Sequence, residues 1–321
     1  DHAIKCGDSL LGVTNLDQLR RLHLDETSNT QIGLDLEGGR VEGLGGYFSM
    51  IDERINQAMA LRQLVREGDV KDVGDAQRRA ELNSKADSLL DDLRLVADAV
   101  TAVCYVNASS KRGVTESALA GVALPLVANL DERRDALAEL GRAKPNDSAG
   151  PFKFFHWAIE YPETLKAGGF DAIVGNPPFQ GGKKLKGAAG GSYRDHIVRY
   201  CASNAVGSAD LVAYFFRRSA VLSKVFGLIA TNTVYQGDTR AVAIGPLVDE
   251  EGSGAIFRAD PSAKWPGKDA VYVAKVWWDS QGKDRWLTAP LIDGKPVSKI
   301  ASDLYPVVGS EERPLPIPSN E

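Results

Sequence analysis

The sequence predicts an α/β protein with a doubly wound core and a helical insertion. Three observations carry that prediction. Phe170–Gly175 is a short, nearly continuous apolar run, the pattern of a strand buried on both faces of a parallel sheet. From about 151 to 321, strand-like and helix-like patterns alternate. Between about 49 and 145, apolar residues recur at helical spacing instead.

Taken in order, Ala3-Ile4-Lys5-Cys6 reads as a short strand running into the turn Gly7-Asp8-Ser9. Residues 13–48 are polar and Gly-rich, with Gly38-Gly39 and Gly45-Gly46, and read as a loop with little regular structure. Ile51, Ile55, Met59 and Leu61–Leu64 then fall at helical spacing, starting near Ser49 and Glu53. Leu82, Leu89-Leu90, Leu93, Val96, Ala97 and Val100 form a second helical face, and 128–142 a third helix. The reading is a helical hairpin plus one helix, inserted into or packed on a core. After the strand at Phe170–Gly175, helices are expected at 192–206 and Asp210–Leu222, and strands at Phe226–Thr231, Gly254–Arg258 and Ala270–Trp278. The tail with Pro314, Pro316 and Pro318 reads as extended. The expected organisation is therefore 1–12 as the end of one half, 13–150 as loop plus helical insertion, and 151–321 as the α/β region.

Composition narrows the class. With 43% hydrophobic and 25% charged residues over 321 positions, the chain resembles a soluble globular protein of one large domain or two. No apolar run approaches the roughly 18 residues of a membrane helix. Asp1–Cys6 lacks the pattern of a signal peptide, so a cytoplasmic location and no membrane partner are expected. Cys6, Cys104 and Cys201 are far apart and the four histidines are scattered; reduced thiols and no metal site are expected. A net charge of −5 is unlike a dedicated nucleic-acid module, but local basic stretches count for more than the sum.

The chemistry concentrates at Asn176-Pro177-Pro178-Phe179, directly after the apolar strand. Ligands of open α/β sheets bind at the carboxyl ends of strands. Two prolines fix φ and restrict the residues before them, so the loop is stiff and its carbonyls, with the Asn side chain, can be held outward. On its own the tetrapeptide is equally an ordinary strand-to-loop turn. The preceding strand and the following Gln180-Gly181-Gly182-Lys183-Lys184 favour a site. A stiff pair of acceptors beside a flat ring suits an exocyclic amine on a nucleobase. Accepting both N–H bonds makes that nitrogen more tetrahedral and aims its lone pair at an incoming carbon. Phe179 then stacks on a base flipped out of the duplex.

Lys183, Lys184 and Lys186, with Arg194 downstream, form the best basic patch. Such a loop can be merely solvated, or can hold phosphates without reading sequence; phosphate contact is favoured. Gln236-Gly237-Asp238-Thr239-Arg240 follows another strand and can wall the base pocket or contact DNA. Trp265-Pro266-Gly267 and Trp277-Trp278 read as core and turn residues. Glu160, Glu163 and the Asp91-Asp92 pair read as solvated surface.

Several separated stretches resemble one family in its order: Phe155–Glu163, Gly168–Phe179, Gly181–Lys184, Tyr193-Arg194, Ala209–Phe216 and Gly227–Thr233. Together they are similar to the large adenine-N6 methylases of restriction-modification and phage-defence systems, the Eco57I- and MmeI-like class. Asn176–Phe179 matches the family's Asn/Asp-Pro-Pro-Tyr/Phe motif. The resemblance implies a Rossmann-like, S-adenosylmethionine-dependent methyltransferase core, here partial, with Asn176, Pro177, Pro178 and Phe179 catalytic. It implies methyl transfer from S-adenosyl-L-methionine to adenine N6 of double-stranded DNA. Ile4–Leu10 resembles the strand end that contacts the cofactor's adenine, which makes Asp8, with Asn176, a cofactor-binding candidate; Gly7-Asp8-Ser9 is otherwise a plain turn. Lys183, Lys184, Lys186, Arg194 and Arg240 are the DNA-binding candidates. The family's glycine-rich cofactor loop is not found in the sequence. The expectation is a fragment that works with an upstream cofactor-binding half or other defence-system subunits. A catalytically incomplete remnant or DNA-binding subunit, and a methylase of RNA adenine or protein glutamine, are the alternatives.

Overall fold

The computed structural model describes residues 4–25, 44–68, 71–110, 116–127, 130–145, 153–205, 208–249, 254–265, 272–282 and 288–307. They divide into two compact units, 1–169 with 184–205, and 170–183 with 206–321. The expectations for Gly38-Gly39 and for the proline-rich tail lie outside the described residues.

The first unit is helical. It holds α1 (Leu16–Arg20), α2 (Leu44–Glu67), α3 (Val73–Leu89), α4 (Asp91–Val106), α5 (Glu116–Val127), α6 (Leu130–Gly141), α7 (Trp157–Glu160) and α8 (Pro162–Lys166). It also takes most of α9 (Gly182–Ala189) and all of α10 (Gly191–Cys201). α4 is its centre: Leu93, Val96, Ala97, Val100 and Cys104 are buried, as are residues on its other faces. A helix apolar on most sides must be surrounded, and Ile51 and Ile55 of α2, Val122 of α5 and Leu137 of α6 join the same core. Each fully buried Leu, Ile or Val side chain contributes about 1.5–3 kcal/mol relative to exposure.

Several expectations for this unit are corrected. Ile4–Cys6 is not a strand; Asp8 makes only an isolated bridge with Phe154. Within the stretch expected to be loop, α1 forms on a capping box between Asn15 and Gln18. α2 begins at Leu44, ahead of Ser49 and through Gly45-Gly46. The second apolar run is two helices, interrupted at Leu90, and α5 had no sequence signal in the hairpin reading. Asp92 is buried beneath Arg54, Arg133 and Arg134 rather than solvated.

Glu160 and Glu163 are also not solvated surface. Glu160 receives Arg94 through both carboxylate oxygens, at 2.8 and 3.2 Å, and Lys5 at 3.1 Å. Asp87 meets the same two cations, and Glu163 meets Arg62 and Arg66. Burial alone disfavours the charged form of Glu160, but the hydrogen bond and charge of Arg94, then Lys5, outweigh it and hold the carboxyl below its ordinary range. A depressed carboxylate stabilises the fold above its unfolded pKa and loses that contribution as pH falls through the folded value. Glu160→Gln is therefore expected to cost about 2 kcal/mol at neutral pH, since Arg94 and Lys5 lose a nearly buried partner. The gap from wild type should narrow as pH falls through the depressed folded pKa, below the ordinary glutamate range. Denaturant midpoints measured from pH 7 to 3 check this; a gap independent of pH would refute it.

The second unit is α/β. It contains β1 (Ile173–Gly175), α11 (Leu211–Leu222), β2 (Val225–Ala230), a 3-10 turn at Asn232–Tyr235, α12 (Gly237–Ala243) and α13 (Gly245–Val248). β3 (Ala255–Lys264), β4 (Tyr272–Asp279), β5 (Leu291–Ile292) and β6 (Lys295–Pro296) complete it. The sheet order is β1-β2-β4-β3-β5-β6. β1 and β2 are parallel, as are β3 and β5, but β4 runs antiparallel to both β2 and β3. The sheet is thus mixed and not the purely parallel one implied by alternation. Phe226 anchors one face, 5.4 Å from the Phe216 ring of α11 and stacked at 5.2 Å on Trp278.

The other face explains two further corrections. A Cβ on Gly227 would lie 2.7 Å from the Trp277 ring, so glycine alone lets that indole rest on the strand. Trp277 is half-buried beneath the Arg258 guanidinium, 4.8 Å from its ring centre, whereas Trp278 is core. β1 is not buried on both faces: Val174 is 86% exposed.

Candidate functional site

β1 pairs with β2 so that Gly175 lies opposite Leu228. The chain leaves both strands at one end of the sheet, and there Asn176–Phe179 forms an irregular loop. One of its residues, Pro177, is buried, while Asn176, Pro178 and Phe179 are exposed. One buried proline seats the loop and the groups with chemistry remain open to solvent. Phe179, 41% exposed, is a large aromatic left unburied just past a strand end.

The loop is fastened at its exit. The Gln180 N–H donates to Asp210 Oδ1 at 3.0 Å, and the Gln180 carbonyl accepts from the Leu211 N–H at 2.9 Å. Asp210 stands at the N-cap of α11, where a carboxylate usually accepts from the helix's own N–H groups, yet makes no such cap bond. Its backbone N–H donates to the Thr239 hydroxyl at 3.1 Å. Thr231 and Thr233, just beyond β2, direct long hydroxyl contacts of 3.5 and 3.4 Å at Asp210 Oδ2. Asn232 lies between them, with a buried Oδ1 that has no partner among the described residues. A buried acceptor left unpaired costs about 1–3 kcal/mol.

Gly182 completes the fastening. A Cβ there would fall 2.4 Å from the carbonyl oxygens of both Ser208 and Ala209. The second glycine of the pair after the motif is thus a contact of backbone on backbone. Gly181 meets nothing within 4 Å. Gly182 also opens α9, so the expected Lys183-Lys184 loop is the first turn of a helix.

The sequence-predicted residues fall into two groups. Asn176, Pro177, Pro178, Phe179, Lys183 and Arg240 belong to the second unit; Asp8, Lys184, Lys186 and Arg194 belong to the first. Lys184 and Lys186 are exposed on α9, and Arg240 is exposed on α12. Arg194 is half-buried, 3.5 Å from Asp195. Asp8 accepts from the Leu10 N–H at 3.0 Å and is hydrogen-bonded to the Tyr193 hydroxyl. Sequence reasoning gave Asp210, Thr231 and Thr233 no site-building role, and it placed Thr239 only within the Gln236–Arg240 stretch expected to wall the pocket or contact DNA. Asp at a helix start is so ordinary that its type alone signals a cap.

A concavity of about 220 Å³ lies within the first unit and is lined by Lys5, Arg94, Asp98, Phe154 and His156 among others. These four charged or titratable groups are already engaged. Lys5 and Arg94 hold Glu160, and His156 Nε2 lies 2.9 Å from Asp98 while Nδ1 accepts from the Val13 N–H.

Among the described residues no helix is long and apolar enough to cross a membrane. No disulfide joins the three cysteines, and burial pushes the Cys104 thiol up to about 11.

No curated protein matches the chain. Among solved structures it is similar to the Type IIL restriction-modification enzyme MmeI, determined in complex with DNA, with 19% identity and a TM-score of 0.36. That match covers 60% of this chain and 28% of the other, so the chain spans little more than a quarter of that enzyme. The family match is to Eco57I restriction-modification methylases and covers residues 117–243, from α5 to α12. It encloses the Asn176–Phe179 loop, Gly182, Asp210 and the Thr231–Thr233 turn. Over residues 117–243 this chain is similar to the Eco57I restriction-modification methylases.

Proposed function

We propose that the chain methylates DNA at adenine N6 as part of a restriction-modification or phage-defence system, using S-adenosylmethionine and a Rossmann-like methyltransferase core. The observation that carries this reading is the exposure of Asn176 and Phe179 on a loop seated by Pro177 and fastened at Gln180. The Asn176 Oδ1 and the Pro177 carbonyl accept the two amino N–H bonds of a flipped adenine, and Phe179 stacks on its ring. The amino nitrogen becomes more tetrahedral and its lone pair is freed from the ring. Because the loop is stiff before substrate arrives, this costs little reorganisation at the moment of reaction. Lys183, Lys184, Lys186, Arg194 and Arg240 are proposed to hold phosphates of double-stranded DNA without reading its sequence.

S-adenosylmethionine supplies the electrophilic methyl group when bound. Asp8 and Asn176 are the proposed contacts to it, but Asp8 already serves Leu10 and Tyr193. The organisation into a cofactor-half end at 1–12, an insertion at 13–150 and a catalytic region at 151–321 belongs to the same proposal.

The test is to incubate the chain, alone and with candidate partner subunits of its defence system, with methyl-labelled donor and duplex DNA, then digest the products. Label in N6-methyladenine is expected. Label in cytosine, in RNA adenine, in protein glutamine or nowhere, with the assembly folded, would sink the proposal.

A further inference from the structure

We propose that Asp210 is a positioning residue for the Asn176–Phe179 loop, locking its exit to the turn that follows β2. The inference rests on the functional reading above, but the juxtaposition stands on its own. A buried carboxylate, 7% exposed, is diverted from capping its helix and joins three segments instead. It takes the Gln180 N–H at 3.0 Å, faces the Thr231 and Thr233 hydroxyls, and through its backbone N–H engages Thr239. Thr231 and Thr233 are 2.6 Å apart through their own hydroxyls, so the turn is internally braced. The Leu211 N–H to Gln180 carbonyl bond closes a two-way pairing that fixes the direction in which the chain leaves Phe179.

A hydrogen bond to a charged acceptor is stronger and more directional than a neutral one. Placed immediately after the motif, it acts on the orientation of Phe179 and, through the two prolines, on Asn176. Asp210 touches no reacting atom in this arrangement. Its effect is on how often the loop is correctly aimed, and small misplacement of reacting groups is costly. The same clamp holds the turn carrying Asn232, whose buried Oδ1 is unpaired, so two loops at one sheet end are set by one carboxylate.

The experiment compares wild type, Asp210→Ala and Asp210→Asn in the full chain by amide hydrogen exchange and by methyl transfer in the assembly that supports it. For Asp210→Ala, exchange at Gln180 and through 231–235 should rise at least about tenfold, with α4 unchanged, because opening there is local. The kcat should fall about 10- to 100-fold with the DNA KM within about twofold, as expected for lost aim rather than lost contact. Asp210→Asn keeps an acceptor for Gln180 but cannot accept from both threonines. Its exchange should rise at 231–235 and not at Gln180, with most of kcat recovered. If Asp210→Ala does not fold, this segment-specific pattern in Asp210→Asn carries the test. Unchanged exchange in both segments, a uniform rise across the second unit, or a wild-type kcat in Asp210→Ala overturns the proposal. If the wild-type assembly transfers no methyl group, the functional reading fails while the exchange arm still decides the clamp.

Discussion

On the proposed function, Asn176→Ala is expected to lower methyl transfer to DNA about 100- to 1,000-fold while leaving the fold intact, because it would remove one of the two acceptors proposed to face the reacting nitrogen. Asn176 is exposed and follows the last residue of β1, so stability should stay within about 0.5 kcal/mol of wild type. DNA binding should change little. Phe179→Ala should instead weaken capture of the flipped base by about 10- to 100-fold, since stacking on an aromatic ring contributes about 1–3 kcal/mol per base. Single-turnover transfer with labelled donor, together with binding to duplex carrying an abasic or mismatched target, separates the two effects. An Asn176→Ala variant that kept a tenth of wild-type transfer would remove the acceptor role from the mechanism.

The asymmetry between these residues and Asp210 shows what a sequence discloses. Asn176-Pro177-Pro178-Phe179 was legible because its physics is local: a strand end, two fixed φ angles and a ring lie within four consecutive residues. The fastening was not legible, because Gln180 and Asp210 are 30 positions apart. Nothing in the type of either residue says that a cap carboxylate will turn away from its helix. α11, β2 and β4 lay close to where their patterns put them, since each has a long apolar period. Strand direction has no such signature, and the reversed β4 left the sheet mixed.

Elsewhere burial decided against local preference. Glycine in a helix costs about 1 kcal/mol relative to alanine, which is why Gly45-Gly46 read as loop. Yet Tyr47, Ile51 and Ile55 are buried in the same helix, and their burial outweighs it. At β1 the error ran the other way. Apolar composition said that both faces were covered, but Val174 is exposed, and composition alone cannot supply the neighbour that would cover it.

Gly182→Ala should be nearly as damaging to transfer as loss of Asn176, although it adds only one methyl group and lies outside the motif. The new Cβ would sit 2.4 Å from two backbone carbonyl oxygens, of Ser208 and Ala209. A flexible side chain could swing aside, but these are main-chain atoms on the segment leading straight into Asp210. Either the start of α9 or the 208–210 strip must shift, and overpacking of this kind costs about 1–3 kcal/mol. A shift of 208–210 carries the Asp210 carboxylate away from the Gln180 N–H, so the motif loop loses its fastening without any change to its own residues. The expected result is a loss of transfer of about 100-fold or more, from misplacement alone, with the helical unit's melting unchanged. Gly181→Ala is the matched control: its Cβ would meet nothing within 4 Å, and transfer should stay within about twofold of wild type, as for an ordinary surface change. Equal effects from the two substitutions would mean that helix propensity at the start of α9 governs the loop. A selective effect at Gly182 would mean that the loop is held by the close approach of two backbones, with glycine required because no side chain fits between them.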